Sequence, residues 1–306
     1  MAVGRAIDVH DLTSCGYVVP RGPEHLGTLR ESTHLVDDPE ALRRRMAEDG
    51  YLYLRDYLDR EQALQARWAI TASLAAEGHL DPAFPAMAGM PRDGAHVGLR
   101  PGLARHAELQ ELLYSGAMLA FYRTFLGGPI RHYDFTWLRV VGPGRATPPH
   151  CDIVFMGRGT RRVFTSWTPL GDVPLPVGGL MILEGSHRLE HIQRTYGQKD
   201  VDRYCANRAD ADEWISGAKR WGGWLARNPV LLRERLGGRW LTADFRIGDV
   251  LVFGMDTIHA SLDNQTSSLR ISCDARYQLA SEPVDERWVG EHPVGHTSAG
   301  KRGRIC

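Results

Sequence analysis

The 306 residues include 37 lysines and arginines against 37 aspartates and glutamates, a formal net charge of +0, and 43% of them are hydrophobic. This is ordinary globular composition, and the even balance argues against a nucleic-acid partner, because phosphate binding needs a basic face. No stretch approaches the roughly 18 apolar residues that cross a bilayer, and the opening MAVGRAIDVHDL lacks the apolar run of a secretory signal. No membrane partner is therefore expected, and the cytoplasm is the default location.

The length fits one domain over 1–306. Residues 1–38 carry little pattern and are expected to form an arm. Asp38-Pro39 supplies an N-cap and a first-turn proline for a helix that Gly50 ends. YLYLR at 51–55 has the composition of a short strand. A second helix starts at Asp59, with Gln62 as its capping-box partner and Leu64, Trp68, Ala72 and Ala75 as its apolar face. The Gly-, Pro- and Met-rich segment 79–104 is expected to be a long loop of functional type. A third helix is expected over 106–126, stopped by Gly127-Gly128-Pro129, so that 39–130 forms a helical support.

From 131 the pattern changes to short β-rich runs at 133–141, 152–156, 163–168, 179–183, 249–254 and 269–278, which suggest a sandwich or barrel over 131–280. Residues 186–240 interrupt it as an insertion with helical stretches and Trp214, Trp221, Trp224 and Trp240. Residues 281–306 form a tail. The basic runs Arg43-Arg44-Arg45, Arg158 to Arg162 and Lys301-Arg302-Gly303-Arg304 are expected to be a solvated helix face, a solvated loop and a loose terminus. Cys15, Cys151, Cys205, Cys273 and Cys306 are odd in number and irregularly spaced, without a Cys-x-x-Cys pair. Neither a disulfide framework nor a zinc ribbon is expected.

Chemistry concentrates in two segments. In TPPHCDIVF, His150 and Asp152 stand two apart. On a strand that spacing turns both side chains to one face and Cys151 to the other. In the segment RIGDVLVFGMDTIHASLDNQTSSLRISCDARYQ, the apolar run Val250–Phe253 leads to His259, and Arg270 follows eleven residues later. There Leu269, Ile271, Cys273 and Ala275 share one strand face, and Arg270, Ser272 and Asp274 share the other. An arginine on an inward face calls for an anionic partner.

With these features, Trp167 in TSWTPLGD, the turn Gly185-Ser186-His187 and the early EDGYLYLRDYL, the sequence over 39–280 resembles the phytanoyl-CoA dioxygenase-like family of Fe(II)/2-oxoglutarate-dependent oxygenases. The resemblance implies a mainly β fold with flanking helices, a double-stranded β-helix (a cupin-like jelly roll). It implies that His150, Asp152 and His259 are the catalytic metal ligands, a facial triad for Fe(II) that leaves positions open for 2-oxoglutarate and dioxygen. Arg270 would hold the distal carboxylate of 2-oxoglutarate as a bidentate pair. Ser261 would hydrogen-bond the same carboxylate, and Trp167 would line the pocket. The reaction implied is oxidation of a small organic metabolite, with hydroxylation first and desaturation, epoxidation or ring rearrangement as alternatives. Specialised metabolism is expected by family analogy.

Two readings of other classes stand beside this one: a non-catalytic jelly-roll binding protein, and a metal-dependent isomerase or hydrolase on a cupin-like barrel. His187 is expected to be structural, and His106, His132 and His191 to be surface or packing residues. His96, in the loop RDGAHVGLR, and one of the insertion tryptophans, with Trp224 as the candidate, are the substrate-contacting expectations. The sequence carries no indication of oligomeric state.

Overall fold

The computed structural model describes residues 11–95 and 97–306. The expected jelly-roll class is borne out by two facing sheets. The larger is antiparallel, in the order Tyr51–Leu54, Val250–Gly254, Phe164–Pro169 and Arg270–Leu279. Trp137–Val141 and Ile130–His132 pair with successive halves of that last strand. The smaller runs His259–Ser261, Leu180–Leu183, Trp240–Thr242 and Leu26–Thr28. The expected arm is thus partly sheet, because Leu26–Thr28 adds a parallel edge strand.

Alternation along the strands sorts side chains between two layers. Leu52, Leu54, Val250, Val252, Ile271, Cys273, Ala275 and Tyr277 face the helices and form one core with them. Tyr51, Tyr53, Trp167, Leu251 and Phe253 face inward and meet Leu180, Ile182 and Leu241 of the smaller sheet, with Phe245 beside them. The inward polar row on Arg270–Leu279 lies on this same inner side.

The helices follow their caps. Asp38 accepts from the Ala41 amide at 2.9 Å and starts Pro39–Asp49, which ends at Gly50 with φ 77°. Asp59 accepts from the Gln62 amide at 2.8 Å and starts Arg60–Ala76. The expected face of this second helix is wrong. It buries Ala63, Ala66, Ile70 and Leu74, whereas Trp68 is 61% exposed. Small alanines let the helix axis lie close to the neighbouring helix Ala107–Tyr114, and the bulky Trp68 stays outside. The expected third helix is two, Ala107–Tyr114 and Gly116–Leu126, because Ser115 between them is extended. The 152–156 strand is instead a one-turn helix, Ile153–Met156.

The expectations for the charged runs and the cysteines are also corrected. Arg45 is buried against Ser32 and the Glu31 carbonyl. Arg158 is buried and donates to Asp200 at 2.8 Å. The C-terminal run is not loose: Arg302–Arg304 pairs in parallel with Arg203–Cys205 of the insertion, and Cys205 and Cys306 form a disulfide. A separation of 101 residues hides that pair from any spacing rule. Between the same segments, buried Arg287 pairs with Asp202 at 2.6 Å and with Asp285, and His296 bonds Asp202 at 2.7 Å. Among the described residues no helix is long and apolar enough to cross a membrane.

Closing a loop this long stabilises a fold by about 2–4 kcal/mol, less any part the ion cluster already supplies. Cys306→Ser is therefore expected to lower the Tm measured without reductant, and to match the wild-type Tm measured with it. An identical Tm in all conditions would show that the ion cluster alone holds the tail.

Candidate active site

His259 opens the edge strand of the smaller sheet, and its backbone exchanges two hydrogen bonds of 3.0 Å with His150. Directly opposed residues in such a pair present their side chains to the same face. The two imidazole centroids accordingly lie 4.1 Å apart. Asp152 begins the one-turn helix, and that turn, rather than strand alternation, swings its carboxylate back under the rings. Its Oδ1 lies 3.8 Å from His150 Nε2 and 3.7 Å from His259 Nε2. One donor atom from each of the three residues lies within 4.8 Å of the others, all buried, in a group able to hold a metal ion.

The outer ring nitrogens fix the tautomers. His150 Nδ1 bonds the Pro148 carbonyl at 2.8 Å, and His259 Nδ1 bonds the Thr257 carbonyl at 3.0 Å. Each Nδ1–H is the donor, so each Nε2 keeps a free lone pair directed at the shared point. Burial lowers both imidazole pKa values, which favours the neutral form that ligates metal. Burial alone would raise the Asp152 carboxyl, but Arg276, then His259, His150 and the Thr165 hydroxyl, hold it well below the usual range. Cys151 is buried and turned away, its thiol directed at the Asp256 carbonyl.

Beside this group lies a small cavity of about 20 Å³, lined by Arg270, Ser261, Trp167, Arg139, Asp274, Thr147 and both histidines. Arg270 is 2% exposed. One of its terminal nitrogens donates to the Gly178 carbonyl, and its buried Nε has no partner. Burial, then Arg139, pushes its pKa down to about 10, so it remains a cation at neutral pH. Only glycine fits at 178, against the backbone of residues 262–264. It has φ 87°, and a Cβ there would meet the Leu262 carbonyl at 2.6 Å. Ser261 Oγ accepts from the Thr147 amide at 2.9 Å. Trp167 packs edge-on against Phe245. A buried arginine with an unpartnered nitrogen, lining one cavity with two of the three donor residues, fits an anionic cosubstrate bound next to a metal.

Trp224 lies at the rim, 37% exposed, its ring centroid 5.2 Å from that of His150. The strap carrying it is tied down by Leu225, which donates to the Pro149 carbonyl at 2.9 Å, and by Tyr196, which donates to the Gly223 carbonyl. Trp221 packs on Tyr196, and Trp240 is buried in the smaller sheet. His96 lies outside the described residues. His187 bonds the Ala47 carbonyl at 3.0 Å, away from the donor group.

Four residues around the site escaped the sequence reading: Arg276, Thr165, Arg139 and Thr147. Two of them carried a signal. Alternation along Arg270–Leu279 places Arg276 on the same face as Arg270 and Asp274, and the expected face stopped one step short of it. The pairing of Trp137–Val141 with that strand brings Arg139 to Asp274 at 2.7 Å.

A jelly roll that gathers two histidines and a carboxylate beside a buried arginine is the frame of an iron- and 2-oxoglutarate-dependent oxygenase. The chain belongs to the phytanoyl-CoA dioxygenase (PhyH) family, whose model matches residues 46–272. It is 27% identical over 268 residues to a 1-deoxypentalenic acid 11-beta-hydroxylase of Streptomyces exfoliatus, covering 82% of this chain and 85% of that protein. Its fold is similar to that of SnoK, a non-heme alpha ketoglutarate dependent carbocyclase from nogalamycin biosynthesis. The TM-score is 0.56 and the identity 21%, over 84% of this chain and 89% of that one. It is also similar to the epimerase SnoN in complex with Fe3+, alpha ketoglutarate and nogalamycin RO, with TM-score 0.54 and 20% identity over 84% and 94%.

Proposed function

We propose that His150, Asp152 and His259 hold Fe(II), that Arg270, Ser261 and Trp167 hold 2-oxoglutarate, and that the chain hydroxylates a small organic metabolite in specialised metabolism. The observation that carries this reading is the buried three-donor group, two of whose members, His150 and His259, line one cavity with Arg270, a buried cation whose Nε has no partner. The kinship to a 1-deoxypentalenic acid 11-beta-hydroxylase supports hydroxylation of a small organic molecule.

Bound iron and 2-oxoglutarate supply the activation of dioxygen, coupled to decarboxylation of 2-oxoglutarate to succinate and carbon dioxide. The protein supplies geometry. The Pro148 and Thr257 carbonyls hold the imidazoles in the ligating tautomer. Arg270 meets a distal carboxylate with a charge-assisted pair and replaces the water that the anion gives up on entry. Ser261, anchored by the Thr147 amide, keeps its hydroxyl proton free to donate to the same carboxylate. Phe155 and Trp224 shield His150 from bulk water, and Trp224 is placed to touch the substrate.

His150→Ala and His259→Ala are each expected to lose iron and turnover while keeping the wild-type circular dichroism. Iron content equal to wild type in the folded variants would overturn the ligand assignment. Arg270→Ala is expected to raise the KM for 2-oxoglutarate roughly tenfold to a few hundredfold, as loss of a charge-assisted pair of about 1.5–3 kcal/mol implies. An unchanged KM would place the cosubstrate elsewhere. The weak visible charge-transfer band expected on anaerobic addition of Fe(II) and 2-oxoglutarate should weaken in the same variant at limiting cosubstrate.

The Asp152 carboxylate occupies the position that related halogenases leave open for chloride, so products under labelled dioxygen with chloride present should carry labelled oxygen and no chlorine. A chlorinated product would refute this role for Asp152. Loss of two hydrogens without label would replace hydroxylation by desaturation or ring closure.

A further inference from the structure

The two oxygens of Asp152 have different surroundings. Oδ1 faces the imidazoles. Oδ2 is turned away and accepts two hydrogen bonds, from the Thr165 hydroxyl at 2.6 Å and from Arg276 Nη2 at 2.9 Å. Arg276 is 2% exposed, and its guanidinium carbon lies 4.0 Å from the centre of the Trp137 ring. It does not line the cavity that Arg270 shares with Ser261. It comes from the same strand as Arg270, six residues on, so the backbone that positions the proposed cosubstrate anchor also positions this second arginine.

We propose that Arg276, assisted by Thr165, is a positioning residue that fixes the iron-binding carboxylate, so that Asp152 offers the metal one oxygen in one orientation. The inference rests on the reading of Asp152 as a ligand. The terminal torsion of an aspartate is broad and nearly two-fold, so an untethered carboxylate exchanges its oxygens freely. Two donors on Oδ2 remove that freedom. They also stop the carboxylate from turning both oxygens to the metal and using up a position that cosubstrate or dioxygen needs. Trp137 packs on the guanidinium, so the clamp is set by packing before any metal enters. Hydrogen-bond partners of metal ligands characteristically govern affinity by tenfold to a hundredfold.

Co(II) serves as the probe, because its visible spectrum reports ligand geometry independently of turnover. Asp152→Ala, Arg276→Met, Arg276→Lys and Thr165→Val are compared with wild type by titration, absorption and thermal melting. Arg276→Met is expected to weaken Co(II) binding tenfold to a hundredfold and to shift the visible bands. Arg276→Lys should recover part of the affinity, and Thr165→Val should shift the bands in the same direction by less. Loss of binding in Asp152→Ala with wild-type affinity and spectrum in Arg276→Met overturns the clamp and leaves the ligand reading standing. Wild-type binding in Asp152→Ala overturns both. If Arg276→Met does not fold, Arg276→Lys and Thr165→Val decide, and unchanged spectra in both overturn the clamp. A raised KM for the organic substrate with wild-type Co(II) binding would make Arg276 a substrate contact and likewise overturn it.

Discussion

The two backbone hydrogen bonds between His150 and His259 are the constraint on which the rest of the site depends. They join residues 109 positions apart in the chain, and they dock the segment before the one-turn helix onto the free edge of the smaller sheet. Because opposed residues share a face, that docking sets the inter-ring distance without help from the side chains. Asp152 then needs only a local turn to complete the group. The alternative, three donors brought from three independent loops, would leave their separation to loop motion.

The insertion is tied to this bridge from outside. Leu225 bonds the residue before His150, and Tyr196 reaches both Gly223 and the Cys151 amide. The insertion is in turn closed by the tail through Arg287, His296 and the Cys205–Cys306 disulfide. The ring over the site is therefore part of a braced structure. Trp224 sits at the exposed end of it, where a side chain can move while its backbone is held.

The features that a single segment encodes were legible in the sequence. Asp38 and Asp59 read as caps because the cap bond is local. Val250–Phe253 read as a buried strand because both its faces are covered. Arg270 read as inward because alternation is strict on a ten-residue strand. The features that failed depend on distant partners. Trp68 belongs to an apolar stripe by spacing, yet the core beneath, with Leu109, Leu112 and Leu113, selects the alanine face. Asp152 looks like strand because Ile153, Val154 and Phe155 are β-formers, and tertiary docking overrides that propensity. Ser115 breaks a helix that periodicity would continue. The charged runs misled because Arg158 finds the Asp200 carboxylate and Arg45 the Glu31 carbonyl, partners that lie on other segments.

The pairing of Arg203–Cys205 with Arg302–Arg304 has a bearing on the order in which the molecule can be assembled. Synthesis is vectorial, and the insertion emerges about a hundred residues before the strand and cysteine that complete it. Until then Asp200 and Asp202 lack Arg287, and the edge at Arg203–Cys205 is open. The jelly roll can close earlier, because its final strand ends at Leu279. Long-range pairing of this kind forms slowly. Acquisition of the roll and sealing of its cover are therefore separable events, and the nascent enzyme passes through a stage in which the frame of the active site exists but its entrance is unbraced.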